Sequence, residues 1–296
     1  MKKLLLFLFI LTVNSLHAQD VPDYPDMRSW VMYSGDSTER YVFADTAFIR
    51  ISPGTKEAPA DTLFAGDNIM VKEIVPKSLT VRGLKGPWLK INYAKNGEQK
   101  SGYIWQGLVS CAPLRRGEMK FVYGIERRTD SIAVSGINRD TIRRYLVVLK
   151  VVQKGMVIGR TSIITPDDET ANFSDGRVMS GMGLSNVQHI VVLTFSGEAC
   201  AIPTYDYYHA WTNTGHLVRL PGKESVSDAG AFYQAETLTF PNEKNGQADK
   251  IIWNTVTEEA TDDVDKDGNN IMKVTDRKSA VYGWDGVNEK VVKPGS

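Results

Sequence analysis

Residues 46–110 read TAFIRISPGTKEAPADTLFAGDNIMVKEIVPKSLTVRGLKGPWLKINYAKNGEQKSGYIWQGLVS, a series of short strand-like runs separated by turn residues. Alternating or β-branched runs predict strands at 47–51, 62–64, 68–75, 88–93 and 102–105, with 107–110 closing the unit. Proline and glycine at Pro53-Gly54 end the first run, and Asn96-Gly97 is a strong hairpin signal. About 65 residues with five strands are typical of a small barrel, which avoids exposed sheet edges.

The same stretch resembles the bacterial SH3-like domains. Residues 47–53, AFIRISP, are similar to the A-N-V-R-S-G-P opening of that family. Later landmarks of the family follow in the same order: Leu63, Gly66-Asp67, WLKI at 88–91 and GYI at 102–104. The resemblance covers about a quarter of the mature chain. It implies an SH3-like small barrel at 46–112 that acts as an extracytoplasmic targeting or binding module, often found beside cell-wall enzymes.

Two features depart from this family pattern. Phe48 and Ile51 replace residues that are usually polar and small, and the insert 76–86 is longer than a minimal turn. The resemblance implies no catalytic residue, so a reaction has to be sought elsewhere in the chain.

The N-terminus has the pattern of a secretory signal peptide. Lys2 and Lys3 precede an apolar run at 4–13, and Ala18 offers a small residue before the expected cleavage. The run is too short to span a bilayer, and an uncleaved anchor is the alternative. No cysteine follows the cut, so a lipid anchor is not indicated. We expect a periplasmic or secreted protein in which residues 19–45 form a leader that partly joins the first domain.

Charge and hydropathy limit the partners. Loss of Lys2 and Lys3 with residues 1–18 leaves 33 basic residues against 35 acidic ones, which gives no electrostatic footprint for nucleic acid. No second apolar run reaches membrane length, so no membrane span is expected after signal cleavage. The remaining 278 residues suit two domains, which we place at 46–112 and 118–296, with a linker at 113–117.

The second half also reads as all-β. Strands are predicted at 120–124, 145–152, 156–159, 188–195, 231–240, 250–253, 271–274 and 279–284. The polar stretch 165–175 is a loop, or a short helix capped by Thr165. We expect a larger antiparallel domain, either a sandwich or an irregular barrel. A weak internal sequence repeat, in which Trp211 and Trp284 occupy equivalent positions, makes a propeller-like arrangement the alternative.

Two cysteines remain after cleavage of the signal peptide. A disulfide between Cys111 and Cys200 would join the two domains, and two buried free thiols are the alternative. Cys200 could instead be a nucleophile, because His189, His209 and His216 lie within twenty residues of it. The Asp-Cys-Ser-Gly opening of an NlpC-type peptidase is absent.

An acidic run could bind calcium. Asp263, Asp265, Asp267 and Asn269 place oxygen ligands at alternate positions, and Gly268 allows a sharp turn. The twelfth position counted from Asp263 is a valine, so the bidentate glutamate of a helix-loop-helix site is missing. A solvated hairpin turn is the alternative, and no other cofactor is expected.

Aromatic residues crowd around one position of the second half. Tyr205, Tyr207, Tyr208 and Trp211 combine stacking area with polar edges, as carbohydrate or peptide sites require. Core and rim positions of a strand are the alternative interpretation.

The sequence contains no P-loop, dinucleotide fingerprint, HExxH motif or GxSxG elbow. We therefore expect an exported binding or scaffold protein of the bacterial cell envelope without catalytic activity. Its partner would be a peptide, a glycan or another envelope component, or a protein. An envelope hydrolase that uses the SH3-like module for targeting is the alternative function.

Overall fold

The computed structural model describes residues 38–56, 58–135 and 138–295, and within these ranges the chain is all-β, as predicted. These residues form nineteen strands and two short 3-10 helices, Gln106–Leu108 and Glu169–Ala171, and they contain no α-helix. No helix in this part of the chain has the length and apolarity that a membrane crossing requires. The predicted signal peptide and the leader up to residue 37 lie outside the described residues.

The first part of the chain forms two small antiparallel sheets. Its strands are β1 (Thr38–Tyr41), β2 (Thr46–Ile49), β3 (Asp61–Phe64), β4 (Asn68–Val81), β5 (Leu84–Lys95) and β6 (Glu98–Trp105). One sheet has the order β1-β4-β5-β6, and β2 pairs with β3 in the other. A bridge between Arg50 and Tyr103 connects the two sheets. Neither sheet closes into a barrel within the described residues.

The following strands form a second four-stranded sheet. They are β7 (Leu114–Arg116), β8 (Met119–Ser135), β9 (Asn138–Gln153) and β10 (Met156–Pro166), in the order β10-β9-β8-β7. The predicted linker 113–117 therefore contains a paired edge strand.

The largest sheet has nine strands. They are β11 (Phe173–Ser180), β12 (Val187–Ser196), β13 (Thr204–Thr212), β14 (Leu217–Arg219), β15 (Lys223–Asp228), β16 (Phe232–Thr239), β17 (Lys250–Val264), β18 (Asn270–Asp285) and β19 (Lys290–Val292). Their order is β11-β12-β13-β15-β16-β17-β18-β19, and β14 pairs with β13. Trp211 and Trp284, the equivalent positions of the weak internal repeat, lie on β13 and β18 of this continuous sheet.

Local turn chemistry sets three hairpins. Asn96-Gly97 has positive φ at both positions and joins β5 to β6, as predicted, and Lys154-Gly155 has the same geometry and joins β9 to β10. Arg82-Gly83 has the same geometry and joins β4 to β5. The insert 76–86 therefore forms the far end of a long hairpin.

One hydrophobic core connects all of these parts. It contains Ile91 of β5, Phe121 of β8, Leu149 of β9 and Leu193 of β12, each of which is fully buried. Leu114, inside the predicted linker, is also buried in this core. The sheets before and after that linker therefore share one apolar interior.

β12 is buried on both faces, which explains its continuous apolar run. Val191 and Leu193 face the core that is shared with the first part of the chain. Ile190 and Val192 face a second core that also contains Trp284 of β18. Strands covered on both sides lack the polar alternation of half-exposed strands.

The region 165–175 was predicted as a loop or a short helix, but β10 ends inside it and β11 begins at Phe173. β10 continues to Pro166, so Thr165 is a buried strand residue and does not cap a helix. The cap of the short 3-10 helix is Asp168, whose Oδ1 accepts a hydrogen bond from the Thr170 amide at 2.9 Å. The capping side chain therefore lies three residues later than predicted.

Candidate functional site

The predicted aromatic cluster is divided by the pleat of β13. Tyr205, Tyr207 and Trp211 lie on one face, and Tyr208 lies on the opposite face because side chains alternate along a strand. Trp211 is buried in the shared core, and Tyr208 packs against Phe240 in the second core. The four side chains therefore do not form one surface, and two of them have structural positions.

The predicted calcium loop is the turn of the β17–β18 hairpin. Asp265 Oδ1 accepts hydrogen bonds from the backbone amides of Asp267 at 2.8 Å and Asn269 at 2.9 Å. These bonds lower the pKa of the Asp265 carboxyl, and the Asn269 amide is the largest contributor. Asp263 N donates to the Thr261 hydroxyl. Within the described residues, no three His, Cys, Asp or Glu side chains are grouped closely enough to hold a metal ion.

Both cysteines are free thiols, so this structure does not contain the predicted Cys111–Cys200 disulfide. Cys111 is buried in the shared core, and burial raises the pKa of its thiol to about 12. Cys200 is exposed and lines an open groove of about 520 Å³ with Glu198 and Tyr233.

The three histidines near Cys200 in sequence have three different surroundings. His189 packs edge-on against the Phe121 ring, with the ring centroids 5.9 Å apart. His209 is fully buried on β13. His216 Nδ1 lies 2.5 Å from Glu289 Oε2. The three imidazole rings therefore do not share one site.

A first cleft lies in the N-terminal part of the chain, and we call it the loop cleft. It has a volume of about 300 Å³ between the loop 52–56 and residues 77–79 of β4, with Trp88 of β5 at its base. Lys77 Nζ donates to the Pro53 carbonyl at 2.7 Å and holds the loop against β4. The walls combine hydroxyl groups, two lysines and the apolar side chains of Leu79 and Trp88. This mixture suits a ligand with both polar and apolar groups.

A second cleft lies between the first part of the chain and the β7–β10 sheet, and we call it the Lys150 cleft. It has a volume of about 360 Å³. Its charged residues are Asp45, Lys150 and Arg160, with Arg82 and Glu126 forming an ion pair at the edge. Phe43, Trp105, Leu108 and Ile125 supply apolar walls.

Lys150 is the buried member of this charged group, with a side chain only 2% exposed. Its Nζ donates to the Phe43 carbonyl at 2.6 Å and to Asp45 Oδ1 at 2.9 Å, and lies 4.4 Å from the Phe43 ring centroid. Burial lowers the pKa of Lys150, and the hydrogen bond to Asp45 acts in the opposite direction. The same hydrogen bond lowers the pKa of Asp45. Arg160 Nη2 contacts both Asp45 oxygens, at 2.9 and 2.8 Å.

Sequence reasoning missed this cleft. The available signal was Lys150 itself, because it interrupts an otherwise apolar run at 145–152. A charge at a core-facing position usually has a partner. The partner, Asp45, lies 105 residues earlier and cannot be identified from local pattern.

Comparison with known proteins gives no relative from which a function could be inferred, so the functional proposal rests on the geometry described above. The chain matches no protein-family model, and no curated protein or solved structure matches it significantly.

Proposed function

We propose that this chain is an exported, non-catalytic binding protein of the bacterial cell envelope. It recognises a peptide, a glycan or a protein partner through an SH3-like module formed by residues 46–112. The observation that carries this proposal is the loop cleft, whose mixed polar and apolar walls suit recognition.

The placement of the family landmarks supports the SH3-like module. Residues 47–49 lie on β2, Gly66-Asp67 forms the turn before β4, and 88–91 and 102–104 lie side by side on β5 and β6. Ile49 of β2 is fully buried and lies in the core that these strands share with the later sheets. Phe48 and Ile51, the two residues that depart from the family pattern, point outwards and are 49% and 68% exposed. These two apolar side chains therefore lie on the surface of the module and do not change its core.

The setting of the cysteines favours binding over the hydrolase alternative. Cysteine catalysis needs a thiolate activated by a nearby base. Cys111 has a raised pKa in an apolar core, and the exposed Cys200 shares its groove with Glu198. The candidate bases His209 and His216 are respectively buried on β13 and bonded to Glu289.

The loop cleft can be tested by filling it. Thr55 is exposed at its wall, so Thr55→Trp should block the cleft without disturbing the core. We expect the full mature chain to bind purified envelope fractions and the variant to lose at least tenfold in affinity. Ser101→Trp is the matched control, because Ser101 is exposed in the same module and does not line the cleft. Equal binding by both variants and the parent would contradict the proposal.

Export can be tested independently. The intact mass of the protein recovered from outside the cytoplasm should correspond to a chain that starts at Gln19. A mass that includes residues 1–18 would show that the segment remains attached and would favour the anchor alternative. Turnover of peptidoglycan fragments that disappears in Cys200→Ser would favour the hydrolase.

A further inference from the structure

We propose that the Lys150 cleft is a second binding site, specific for a small amphipathic carboxylate, and that it is separate from the loop cleft. Its volume of about 360 Å³ falls in the range of small-molecule sites. The site lies between the first part of the chain and the β7–β10 sheet, so both must be present for it to exist.

The charge of the cleft selects an anion. Its five charged residues comprise three cations, Arg82, Lys150 and Arg160, and two carboxylates, Asp45 and Glu126. The cleft therefore carries one net positive charge before a ligand enters. Walls of low polarity strengthen the interaction of that charge with a ligand.

Hydrogen-bond donors remain for a ligand carboxylate. Arg160 uses Nη2 for Asp45, and its guanidinium has further N–H groups on Nε and Nη1. The Arg160 side chain is 52% exposed, so these groups can be reached from solvent. Lys150 uses two of its three N–H groups for Phe43 and Asp45. A guanidinium can bind a carboxylate with two parallel hydrogen bonds.

The same charged group is held rigidly. Asp45 is fixed by two different cations, and Lys150 is enclosed by the Phe43 ring and carbonyl. Preorganised charges lose less conformational entropy than mobile ones when a ligand binds. The site therefore has the fixed donor arrangement that carboxylate recognition requires.

The apolar wall selects a ligand with a hydrocarbon body. Trp105 and Ile125 are nearly fully buried, and Leu108 is partly buried at the cleft. The Trp105 indole is oriented by its hydrogen bond to the Gly86 carbonyl at 3.1 Å. A fatty acid and the C-terminus of an apolar peptide share the required chemistry, a carboxylate attached to an apolar group.

Calorimetric titration of the full mature chain tests the site. Octanoate represents a fatty acid, N-acetylphenylalanine represents a peptide C-terminus, and octylamine is the probe of opposite charge. We expect at least one carboxylate to bind with 1:1 stoichiometry and octylamine to bind at least tenfold more weakly. The tighter of the two carboxylates identifies the source of the ligand.

Two variants and two controls locate the site. Arg160→Gln should weaken carboxylate binding at least tenfold because charge-assisted hydrogen bonds are lost. Arg177→Gln is the matched control, since Arg177 is similarly exposed on β11 and does not line the cleft. Leu108→Trp should abolish binding by filling the cleft. Thr55→Trp in the loop cleft should leave it unchanged, so this proposal can fail while the function proposed above stands.

The proposal is overturned if neither carboxylate gives saturable binding at millimolar concentration. It is also overturned if octylamine binds as tightly as octanoate, because affinity would then come from apolar contact alone. Equal weakening by Arg160→Gln and Arg177→Gln would show a general charge effect and reject the site.

Discussion

His209 lies directly opposite Val191 in the β12–β13 ladder, and neither nitrogen of its ring has a hydrogen-bond partner of good geometry. The side chain is fully buried. Burial lowers the pKa of His209 to about 4, and the nearby positive charge of Arg219 acts in the same direction. The folded protein therefore holds this ring neutral in an apolar setting.

This arrangement predicts a loss of stability in mild acid. Below pH 6.5 the unfolded chain protonates His209 readily, while the folded chain resists protonation until about pH 4. As the pH falls from 6.5 to 4, the protonation of His209 should lower the free energy of unfolding by about 3 kcal/mol. Below pH 4 this contribution should not change further. His209→Leu should retain more of its stability at pH 4.5 than the parent does. Urea unfolding at pH 7.5 and 4.5 measures the difference.

His216→Gln is the control for that experiment. Its ring is exposed beside Glu289, and the variant retains His209, so it should keep the part of the acid loss that the buried ring causes. An acid loss in His209→Leu as large as that of the parent would contradict the assignment.

In the group formed by Asp45, Lys150 and Arg160, neutralising Asp45 should lower the free energy of unfolding more than neutralising Arg160. Asp45→Asn removes the counter-ion of a buried ammonium, so we expect a loss of about 2 kcal/mol in the free energy of unfolding. Arg160→Gln removes an exposed cation, and we expect a loss below about 1 kcal/mol. Urea unfolding at pH 7 gives both values. Equal losses would show that burial of Lys150 does not determine the energetics of the group.

The two cysteines should differ in reactivity. Cys200 is exposed, so one thiol per native chain should react rapidly with a chromogenic disulfide reagent. Cys111 is buried and has a raised pKa, so it should react only after unfolding. Absence of reactive thiols in the unfolded, unreduced protein would instead reveal the Cys111–Cys200 disulfide.

Gly159 marks a close contact between β10 and β13. A Cβ atom at this position would lie 2.5 Å from a ring carbon of Trp211, which is buried. Gly159→Ala should therefore destabilise the protein by about 1–3 kcal/mol through overpacking. Ser162→Ala on the same strand is exposed and should change stability by less than about 0.5 kcal/mol. Similar melting temperatures for the two variants would show that the sheets separate easily.

Some features of this fold could be predicted because their causes are local. Asn96-Gly97 predicts a tight turn, because asparagine and glycine tolerate the positive φ that both positions of this turn have. β-branched and aromatic runs predict strands, and the absence of long helical periodicity predicts an all-β chain. β17 was predicted too short because its second part, 254–264, contains few apolar residues, and β18 was predicted as two strands because 275–278 is polar.

The candidate site depended on contacts that sequence does not show. The aromatic residues were grouped by their proximity in sequence, whereas alternation on β13 places Tyr208 on the face opposite to Tyr207. Leu114 was assigned to a linker because it follows the predicted closing strand of the first module and precedes a change of pattern, but its side chain belongs to the shared core.

The sequence by itself determined the strand class and the tight hairpin turn at Asn96-Gly97, and the SH3-like character of residues 46–110 stays a prediction. Only the tertiary structure decided that Lys150 meets Asp45 and that the two sides of the predicted linker share one core. The reason is that turn geometry and side-chain alternation depend on neighbouring residues. The packing of one sheet on another depends instead on long-range shape and charge complementarity, which leaves no local pattern in the chain.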